Sequence, residues 1–486
     1  MTPRPADGRE QARKLGVGLG ASLGALAMAG ALLAPVSAAF AQDAAAPIPL
    51  LSDTEMSEIL HADADPIYTA AGLNPKSVKI FIVGDPTKEA MNSWVEGGQN
   101  MFVTAGLIIQ TKTPNQLTGV FAHETGHMAG GHLARQDQGE KQTLATYLLT
   151  LGLGIAAAAA GAPDAAGGLL YSAGYFAALT GAGFTRTQES SADQAAVTYL
   201  ERAGESAKGL VEFFDNFRYE EVFADARRYR FFMDHPLTSD RIDALQVRAE
   251  QQPHYNVVDS PEAIERHQIL IAKLKGYLNL PQQTLDDYPE SDTSFPAKYA
   301  RAIAYSRDND TDRAVALTDA LIAERPTDPY LSQLKGQILF GAGRAKEAEA
   351  PLREAVRLKP DAPELLFLLG QTLLAEDSSA KLDEAIADLH HGLSLESDNP
   401  EGWLFLSQAY DKKGDGGMAR LAAAEESFSL GQTDDARRFG MQARQLLSKG
   451  SPEWRRATDI VLTSKPSRDD LKLLAQQGGT NAPQKR

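Results

Sequence analysis

The sequence contains no cysteine among its 486 residues. This absence excludes disulfide bonds, thiolate metal sites and cysteine nucleophiles, so any chemistry must rely on histidines, carboxylates or hydroxyls. Positive charge is also scarce, because 48 lysines and arginines are outnumbered by 64 aspartates and glutamates and the net charge is −16. Such an acidic chain is poorly suited to neutralise phosphates, and we predict that nucleic acid is not a partner.

Long apolar runs are few, and a mean hydropathy of −0.28 argues against a polytopic membrane protein. One uncharged run, residues 15–34, follows a basic start and precedes the small residues Ala39 and Ala41. This arrangement predicts a cleaved signal peptide over residues 1–41, and a membrane anchor is the alternative interpretation. We therefore expect export into a bacterial periplasm, a compartment compatible with a chain that has no disulfides.

Residues 42–255 mix strand-like and helix-like segments. The apolar run at 78–83 is closed by Gly84-Asp85-Pro86, and the segment at 101–104 follows the turn residues Gly97-Gly98. Both runs predict β-strands. This part of the chain is therefore expected to form an α+β domain.

Residues 295–465 contain an internal repeat. Pro329 and Pro363 are 34 residues apart, and so are Gly336 and Gly370. Thirty-four residues is the tetratricopeptide period, in which each repeat is a pair of packed helices. The repeat predicts an all-α solenoid whose register slips by three residues near positions 377–381. We expect each repeat to pack mainly on its neighbours.

The most informative segment is His123-Glu124-Thr125-Gly126-His127. Histidines at positions i and i+4 lie on one face of an α-helix, so both imidazoles can bind one metal ion. Glu124 projects beside that face, where it can take a proton from a metal-bound water. The preceding residues Thr113-Pro114-Asn115-Gln116 offer an N-cap, a proline at N1 and a capping glutamine, which predicts the helix. H-E-x-x-H is a zinc pattern, and we predict one Zn²⁺ per chain.

A third ligand is required, and two candidates compete for the role. A pattern with a third histidine six residues after the second fails, because position 133 is Leu133 and His132 falls one residue short. We expect His132 to serve helix packing or to support a ligand. The other candidate is Glu189, which is followed by Asp193 one helical turn further on. We predict that Glu189 binds the metal and that Asp193 orients a ligand histidine.

His235 is a further candidate site residue. It precedes Pro236 in a loop-like segment that continues to Arg241. The imidazole could cap the zinc as a fourth ligand, or it could donate a hydrogen bond to an oxyanion. A loop histidine without a functional role is the third interpretation.

Together, these motifs resemble the HtpX-like and CAAX-prenyl-protease-like gluzincins. With the signal peptide and the repeats, the chain is similar to periplasmic members that carry C-terminal tetratricopeptide repeats. The resemblance implies an α+β zincin-type metalloprotease domain followed by an all-α solenoid. It also implies that His123, His127 and Glu189 bind zinc and that Glu124 is the catalytic base. Asp193 would support a ligand or, in some assignments, donate a proton.

The predicted division of the chain follows from these observations. It consists of a signal peptide at 1–41, the gluzincin domain at 42–255, linker helices at 256–294, the solenoid at 295–465 and a polar tail at 466–486. Within the gluzincin domain, residues 144–185 are uncharged except for Asp164 and are rich in alanine and glycine. We expect a buried or mobile helical hairpin beside the site, with a membrane-surface contact and a membrane span as alternatives.

The predicted function is zinc-dependent cleavage of unfolded or misassembled polypeptides, with the substrate extended along the edge of the strand at 101–104. The resemblance implies work in outer-membrane assembly on stalled β-barrel proteins, with the repeats recruiting the assembly machinery and acting like a chaperone. One alternative is a holdase or scaffold with a structural zinc, against which Glu124 argues, because a structural site needs no base. An intramembrane protease is disfavoured by the composition.

Overall fold

The computed structural model describes residues 50–84, 91–159, 163–218, 235–376 and 378–476. All of them belong to one compact unit, Pro49–Arg486. The predicted signal peptide at 1–41 lies outside the described residues. No helix among the described residues is both long enough and apolar enough to cross a membrane.

A four-stranded sheet forms the β part of the fold. Its strands are β1 (Leu50–Leu51), β2 (Lys79–Val83), β3 (Ser93–Glu96) and β4 (Asn100–Thr104). The spatial order is β1-β2-β4-β3, with β4 parallel to β2 and antiparallel to β3. Both predicted strands are present, and Gly97 and Gly98 form the β3–β4 turn with positive φ.

The position of β4 corrects one expectation. Because β2 and β3 pair with β4 on its two sides, no edge is left at residues 101–104 for a substrate to join. The prediction of substrate addition to that strand is therefore wrong. Among the described residues, β3 is the edge strand on this side of the sheet.

The helices of the first part surround the sheet and build the site. They are α1 (Thr54–Ala70), α2 (Ala105–Gln110), α3 (Pro114–Ala129), α4 (His132–Ala159), α5 (Pro163–Ala203), α6 (Lys208–Asp215) and α7 (Ser239–Glu250). Helix α3 begins as predicted, because the Thr113 side chain accepts a hydrogen bond from the backbone N–H of Gln116 and Pro114 occupies the first turn. The Gln116 side chain in turn accepts from the backbone N–H of Lys112.

Helix α4 and the first half of α5 form a helical hairpin, which we call the arm (residues 132–159 and 163–184). Thr180 of α5 donates a hydrogen bond to Thr146 of α4, and small side chains such as Ala173 lie buried between the helices. The predicted hairpin is therefore present. Large apolar side chains on it are exposed rather than buried, namely Leu144, Leu148, Leu149, Leu153, Ile155 and Phe176.

The remaining helices comprise two connecting helices, α8 (Pro261–Leu278) and α9 (Pro281–Asp287), and an antiparallel array that begins with α10 (Phe295–Arg307). The array continues with α11 (Thr311–Glu324), α12 (Pro329–Gly341), α13 (Ala345–Leu358), α14 (Pro363–Leu374), α15 (Ser379–Leu395), α16 (Pro400–Lys413), α17 (Gly416–Ser429), α18 (Thr433–Leu446), α19 (Pro452–Thr463) and α20 (Arg468–Gln476). Helix pairs from α10 onward pack in succession, which gives the tetratricopeptide solenoid that the 34-residue period predicts.

Two glycines locate the slip in the repeat. A Cβ at Gly336 would lie 2.4 Å from Leu352, and a Cβ at Gly370 would lie 2.8 Å from Leu389. The glycines are 34 residues apart, whereas the leucines beneath them are 37 apart. The three additional residues therefore precede Leu389 and lengthen α15 at its start.

The solenoid shares a core with the first part of the chain. Tyr299, Ile303 and Leu331 belong to the same buried apolar cluster as Tyr68 and Phe121. The first repeats therefore continue the core of the domain, while each repeat still packs mainly on its neighbours in the chain, as expected. Helix α8, expected to be a linker helix, also contributes buried residues to this cluster, because its apolar face lies against the domain.

The expectation of a polar tail over residues 466–486 is wrong at its start. Residues 468–476 form helix α20, whose Leu474 is fully buried in a cluster with Met441 and Val461. Arg437 pairs with Asp470 at 3.1 Å, which adds a polar contact to the apolar one. One buried leucine in a polar stretch is a weak sequence signal, and the helix was missed for that reason.

A buried ionic cluster joins the first helix to the solenoid side of the molecule. The Nζ of Lys273, on α8, lies 2.7 Å from Asp53 and 2.7 Å from Glu55. Tyr299 donates a further hydrogen bond to Glu55. Burial alone would lower the pKa of Lys273, but the two carboxylates hold that pKa well above its usual value. Burial raises the pKa of Glu55, and the charged lysine offsets the cost of ionising that carboxyl while it also pairs with the half-buried Asp53.

We expect Lys273→Met to lower the free energy of unfolding by about 3–5 kcal/mol, because it leaves the buried carboxyl of Glu55 without a cation. Urea unfolding followed by circular dichroism measures the change. The matched control is Lys275→Met on the same helix, which removes a partly exposed pair with Asp287 and a cation–π contact with Tyr288 and should cost less than about 1 kcal/mol. Equal effects of the two substitutions would contradict the role of the buried cluster.

Candidate metal centre

Two helices carry most of the site, and a glycine allows them to meet. Helix α3 presents His123 and His127 one turn apart, and α5 presents Glu189 and Asp193 in the same way. Between the two histidines, a Cβ at Gly126 would lie 2.7 Å from the carbonyl oxygen of Ala192. Only glycine permits this approach, which brings the histidines of one helix against the carboxylates of the other.

Four side chains converge on one point. The Nε2 atoms of His123 and His127 are 3.1 Å apart, and each lies 3.4 Å from an oxygen of Glu189. His235 joins them from the segment before α7. Its Nδ1 is 3.3 Å from the Nε2 of His123 and 3.1 Å from Oε1 of Glu189. All four side chains are buried, and one donor atom from each lies within 4.8 Å of the others.

This donor set fits zinc. Metal bonds of about 2.0–2.1 Å in a tetrahedron place neighbouring donors about 3.3 Å apart. The observed separations of 3.1–3.4 Å match that value. Three imidazoles and a carboxylate are also the nitrogen and oxygen ligands that zinc accepts. The four residues could therefore hold a zinc ion without rearrangement.

The charges of the site favour a cation. Burial alone would lower the pKa of His123, but hydrogen bonds and charges from Asp193 and Glu189 raise it to about 9. Burial likewise opposes ionisation of Glu189, whose pKa is nevertheless held well below its usual value by His123 and His235. For His127, burial and the neighbouring His123 lower the pKa. The carboxylates that raise the pKa of His123 would also stabilise a metal cation held beside them.

Arg241 contacts both carboxylates of helix α5, Asp193 and Glu189. Its guanidinium donates two hydrogen bonds to Asp193, at 2.6 and 2.9 Å, and lies 2.9 Å from Oε2 of Glu189. It also donates to the carbonyl of Pro236 at 3.1 Å and stacks over Phe214. Asp193 in turn contacts Nδ1 of His123 at 3.0 Å. Arg241 therefore connects both helix α5 carboxylates with the segment that bears His235.

Glu124 is fully buried beside the four donors. Its Oε1 accepts a hydrogen bond from the Ser93 hydroxyl at 2.7 Å and lies 3.6 Å from Nε2 of His235. Its Oε2 is buried with no hydrogen-bond partner among the described residues. One oxygen is thus fixed to the start of β3, and the other remains able to accept a proton.

The structure brings together every site residue that the sequence predicts, namely His123, Glu124, His127, Glu189, Asp193 and His235. Sequence reasoning missed Ser93, because a serine 31 residues from Glu124 carries no motif. It noted Arg241 but gave it no role, although an arginine six residues after the candidate histidine was a usable signal. The histidines outside the site have other partners, such as Thr111 for His267 and Glu201 for His254.

Comparison with known proteins agrees with this geometry. Residues 53–249 match the model of Peptidase family M48. A beta-barrel assembly-enhancing protease of Yersinia pestis is 25% identical over 395 residues, which cover 79% of this chain and 77% of that protein. The protein of the same name in Escherichia coli K12 is 24% identical over 417 residues, covering 83% and 80%.

Solved structures of tetratricopeptide-repeat proteins match part of the chain. YrrB, a tetratricopeptide-repeat protein described as having an unusual peptide-binding site, is matched at 20% identity with a TM-score of 0.29. The match covers 35% of this chain and 88% of that chain.

The fold, the site and the family match define a zinc metallopeptidase, in which residues 53–249 are the part of the chain that matches Peptidase family M48. Across most of its length, the chain is homologous to the beta-barrel assembly-enhancing proteases.

We expect Glu189→Ala to lose bound zinc, because the variant removes the only anionic donor and leaves three neutral imidazoles. The zinc content of the dialysed protein, measured by inductively coupled plasma mass spectrometry, tests this prediction. Glu201→Ala is the matched control on the same helix, since Glu201 contacts His254 away from the site, and it should keep zinc. Full zinc occupancy in the Glu189 variant would remove Glu189 from the ligand set.

Proposed function

We propose that the chain is a zinc-dependent endopeptidase of the bacterial periplasm that acts on misassembled outer-membrane β-barrel proteins. The observation that carries the catalytic part is the convergence of His123, His127, Glu189 and His235 beside the buried carboxylate of Glu124. A purely structural zinc site would not need a carboxylate whose free oxygen is kept next to the metal ligands.

In this proposal His123, His127 and Glu189 hold the zinc, and Asp193 orients His123. When bound, zinc supplies Lewis acidity toward water and the peptide carbonyl. Glu124 acts as general base and then as general acid: Oε2 takes the proton of the attacking water, and the carboxyl returns it to the leaving nitrogen. The Ser93 hydroxyl holds Oε1 in place, so that the carboxylate does not rotate away from the reacting atoms.

The substrate is proposed to lie extended along β3. Ser93 is the first residue of this strand and contacts Glu124, so the strand begins at the catalytic base. Backbone groups of an added strand would pair with the outer side of β3 and hold the peptide in register. This placement replaces the expectation that the substrate joins residues 101–104.

We expect Glu124→Gln to keep zinc and lose proteolysis, because the amide preserves the shape of the side chain but cannot accept the proton. Cleavage of unfolded casein by the purified proteins, with zinc content measured in parallel, tests the chemistry. The same variant in cells should let unassembled β-barrel proteins accumulate, which tests the substrate class. Normal cleavage by the zinc-loaded variant would refute the assigned base.

His235 is proposed to close the site at rest. Its Nδ1 lies at the ligand distances described above, so it can occupy the fourth position that water needs. A periplasmic protease meets many unfolded chains in transit, and a closed resting state would protect them. Movement of the His235 side chain away from the other three residues would open the position.

We expect His235→Ala to keep zinc and to increase cleavage of a generic unfolded substrate, because three ligands remain and the fourth position is free. Initial rates for wild type and variant at equal zinc occupancy measure the effect. If His235 instead donates to the oxyanion, the same change should reduce the rate roughly 10²-fold or more. The two roles therefore predict opposite signs, and an unchanged rate would exclude both.

The solenoid and the arm are proposed to select partners. The names of the homologous proteases support a role in outer-membrane assembly, in which the repeats recruit the assembly machinery and hold unfolded chains like a chaperone. The exposed leucines of the arm support a peripheral contact with a membrane surface. Periplasmic location remains a prediction from the sequence of residues 1–41.

A further inference from the structure

His127 has two ring nitrogens, and the proposed function uses only one. Its Nε2 faces the other metal donors, whereas its Nδ1 lies 3.0 Å from Nδ1 of His132. The two rings meet edge to face, with centroids 4.9 Å apart and an interplanar angle of 83°. Both side chains are buried, at 8% and 6% exposure. His132 is thus packed against the side of a ligand that points away from the metal.

The backbone is shaped to make this contact. In an unbroken helix, residues five apart point about 140° away from each other. Helix α3 ends at Ala129, Gly131 has a φ of +62°, and α4 begins at His132, so the chain turns back over its last helical turn. A Cβ at Gly130 would lie 2.7 Å from Nε2 of His132. Two successive glycines therefore allow the ring to reach His127.

The protons of the pair follow from the metal site. If Nε2 of His127 binds zinc, it carries no hydrogen, and the proton of the neutral ring must be on Nδ1. The Nδ1–H of His127 then donates to Nδ1 of His132, which accepts, and His132 keeps its own proton on Nε2. This arrangement fixes both the tautomer and the rotation of the His127 ring.

The two histidines of α3 are supported differently. His123 has the carboxylate of Asp193 behind it, and Asp193 is neutralised by Arg241. His127 has a neutral imidazole in the corresponding place. A neutral acceptor orients a ligand without adding negative charge to a site that already contains Glu189, Asp193 and Glu124.

We propose that His132 is a positioning residue for the metal ligand His127, acting as the hydrogen-bond acceptor that holds its ring and tautomer. It touches neither substrate nor metal. The inference rests on the proposed assignment of His127 as a ligand. Partners of this kind commonly change metal affinity by about 10–100-fold when they are removed.

A pair of amide substitutions separates acceptor function from packing. In His132→Asn, the amide oxygen is separated from Cβ by the same number of bonds as Nδ1 of the histidine. The variant therefore keeps a hydrogen-bond acceptor within reach of His127. In His132→Gln, the amide oxygen is separated from Cβ by the same number of bonds as Nε2 of the histidine. The acceptor is therefore displaced from the position of Nδ1. Both variants are polar and similar in size, and both should fold.

The measurement is the rate at which zinc passes from the holoprotein to an excess of chelator. We expect His132→Gln to release zinc about 10–100-fold faster than wild type and His132→Asn to remain near wild type. His267→Leu is the matched control, because it removes another buried histidine, bonded to Thr111, away from the site. It should release zinc at the wild-type rate.

Each other result overturns the inference. Zinc release from His132→Gln at the wild-type rate would show that the contact does not hold His127. Equally accelerated release from both amide variants would show that His132 contributes only packing. Fast release from His267→Leu would indicate general loosening of the fold. A wild-type protein that binds no zinc would refute the proposed function itself, which keeps the two failures distinct.

Discussion

The close approach of α3 to α5 at Gly126 is the contact on which the rest of the site depends. Because Gly126 has no side chain, the backbone of α3 contacts the backbone of α5 at Ala192. Residues that flank this contact on the two helices therefore become neighbours. His123 then reaches Asp193, and His127 reaches Glu189. The cost of gathering buried charges is offset by pairing, since each carboxylate has a histidine or Arg241 beside it.

The sequence was sufficient for features whose cause is local. The start of α3 follows from Thr113 and Pro114, and the repeat follows from a period that recurs along the chain. The pairing of His123 with His127 and of Glu189 with Asp193 could be predicted because helical spacing places each pair on one face of its own helix before any tertiary structure is known. These are signals within a few residues of each other or within a fixed repeat.

Features that depend on distant pairings could not be predicted in this way. Ser93 meets Glu124, and Lys273 meets Glu55 218 residues away, without any pattern that links them. The strand order was equally inaccessible, because nothing in residues 100–104 shows that β3 turns back beside them. The arm was predicted as a hairpin, but its alanine-rich composition did not reveal which large side chains would face solvent.

Helix α5 is a single element of 41 residues, from Pro163 to Ala203. It contributes half of the arm at one end and Glu189 and Asp193 further along. Phe176, exposed on the arm, lies thirteen residues before Glu189, which corresponds to about 20 Å of helix. Because the helix is continuous, no loop separates the arm from Glu189 and Asp193. A displacement of the far end of the arm would therefore be passed along the helix to these two carboxylates, with no loop between them to absorb it.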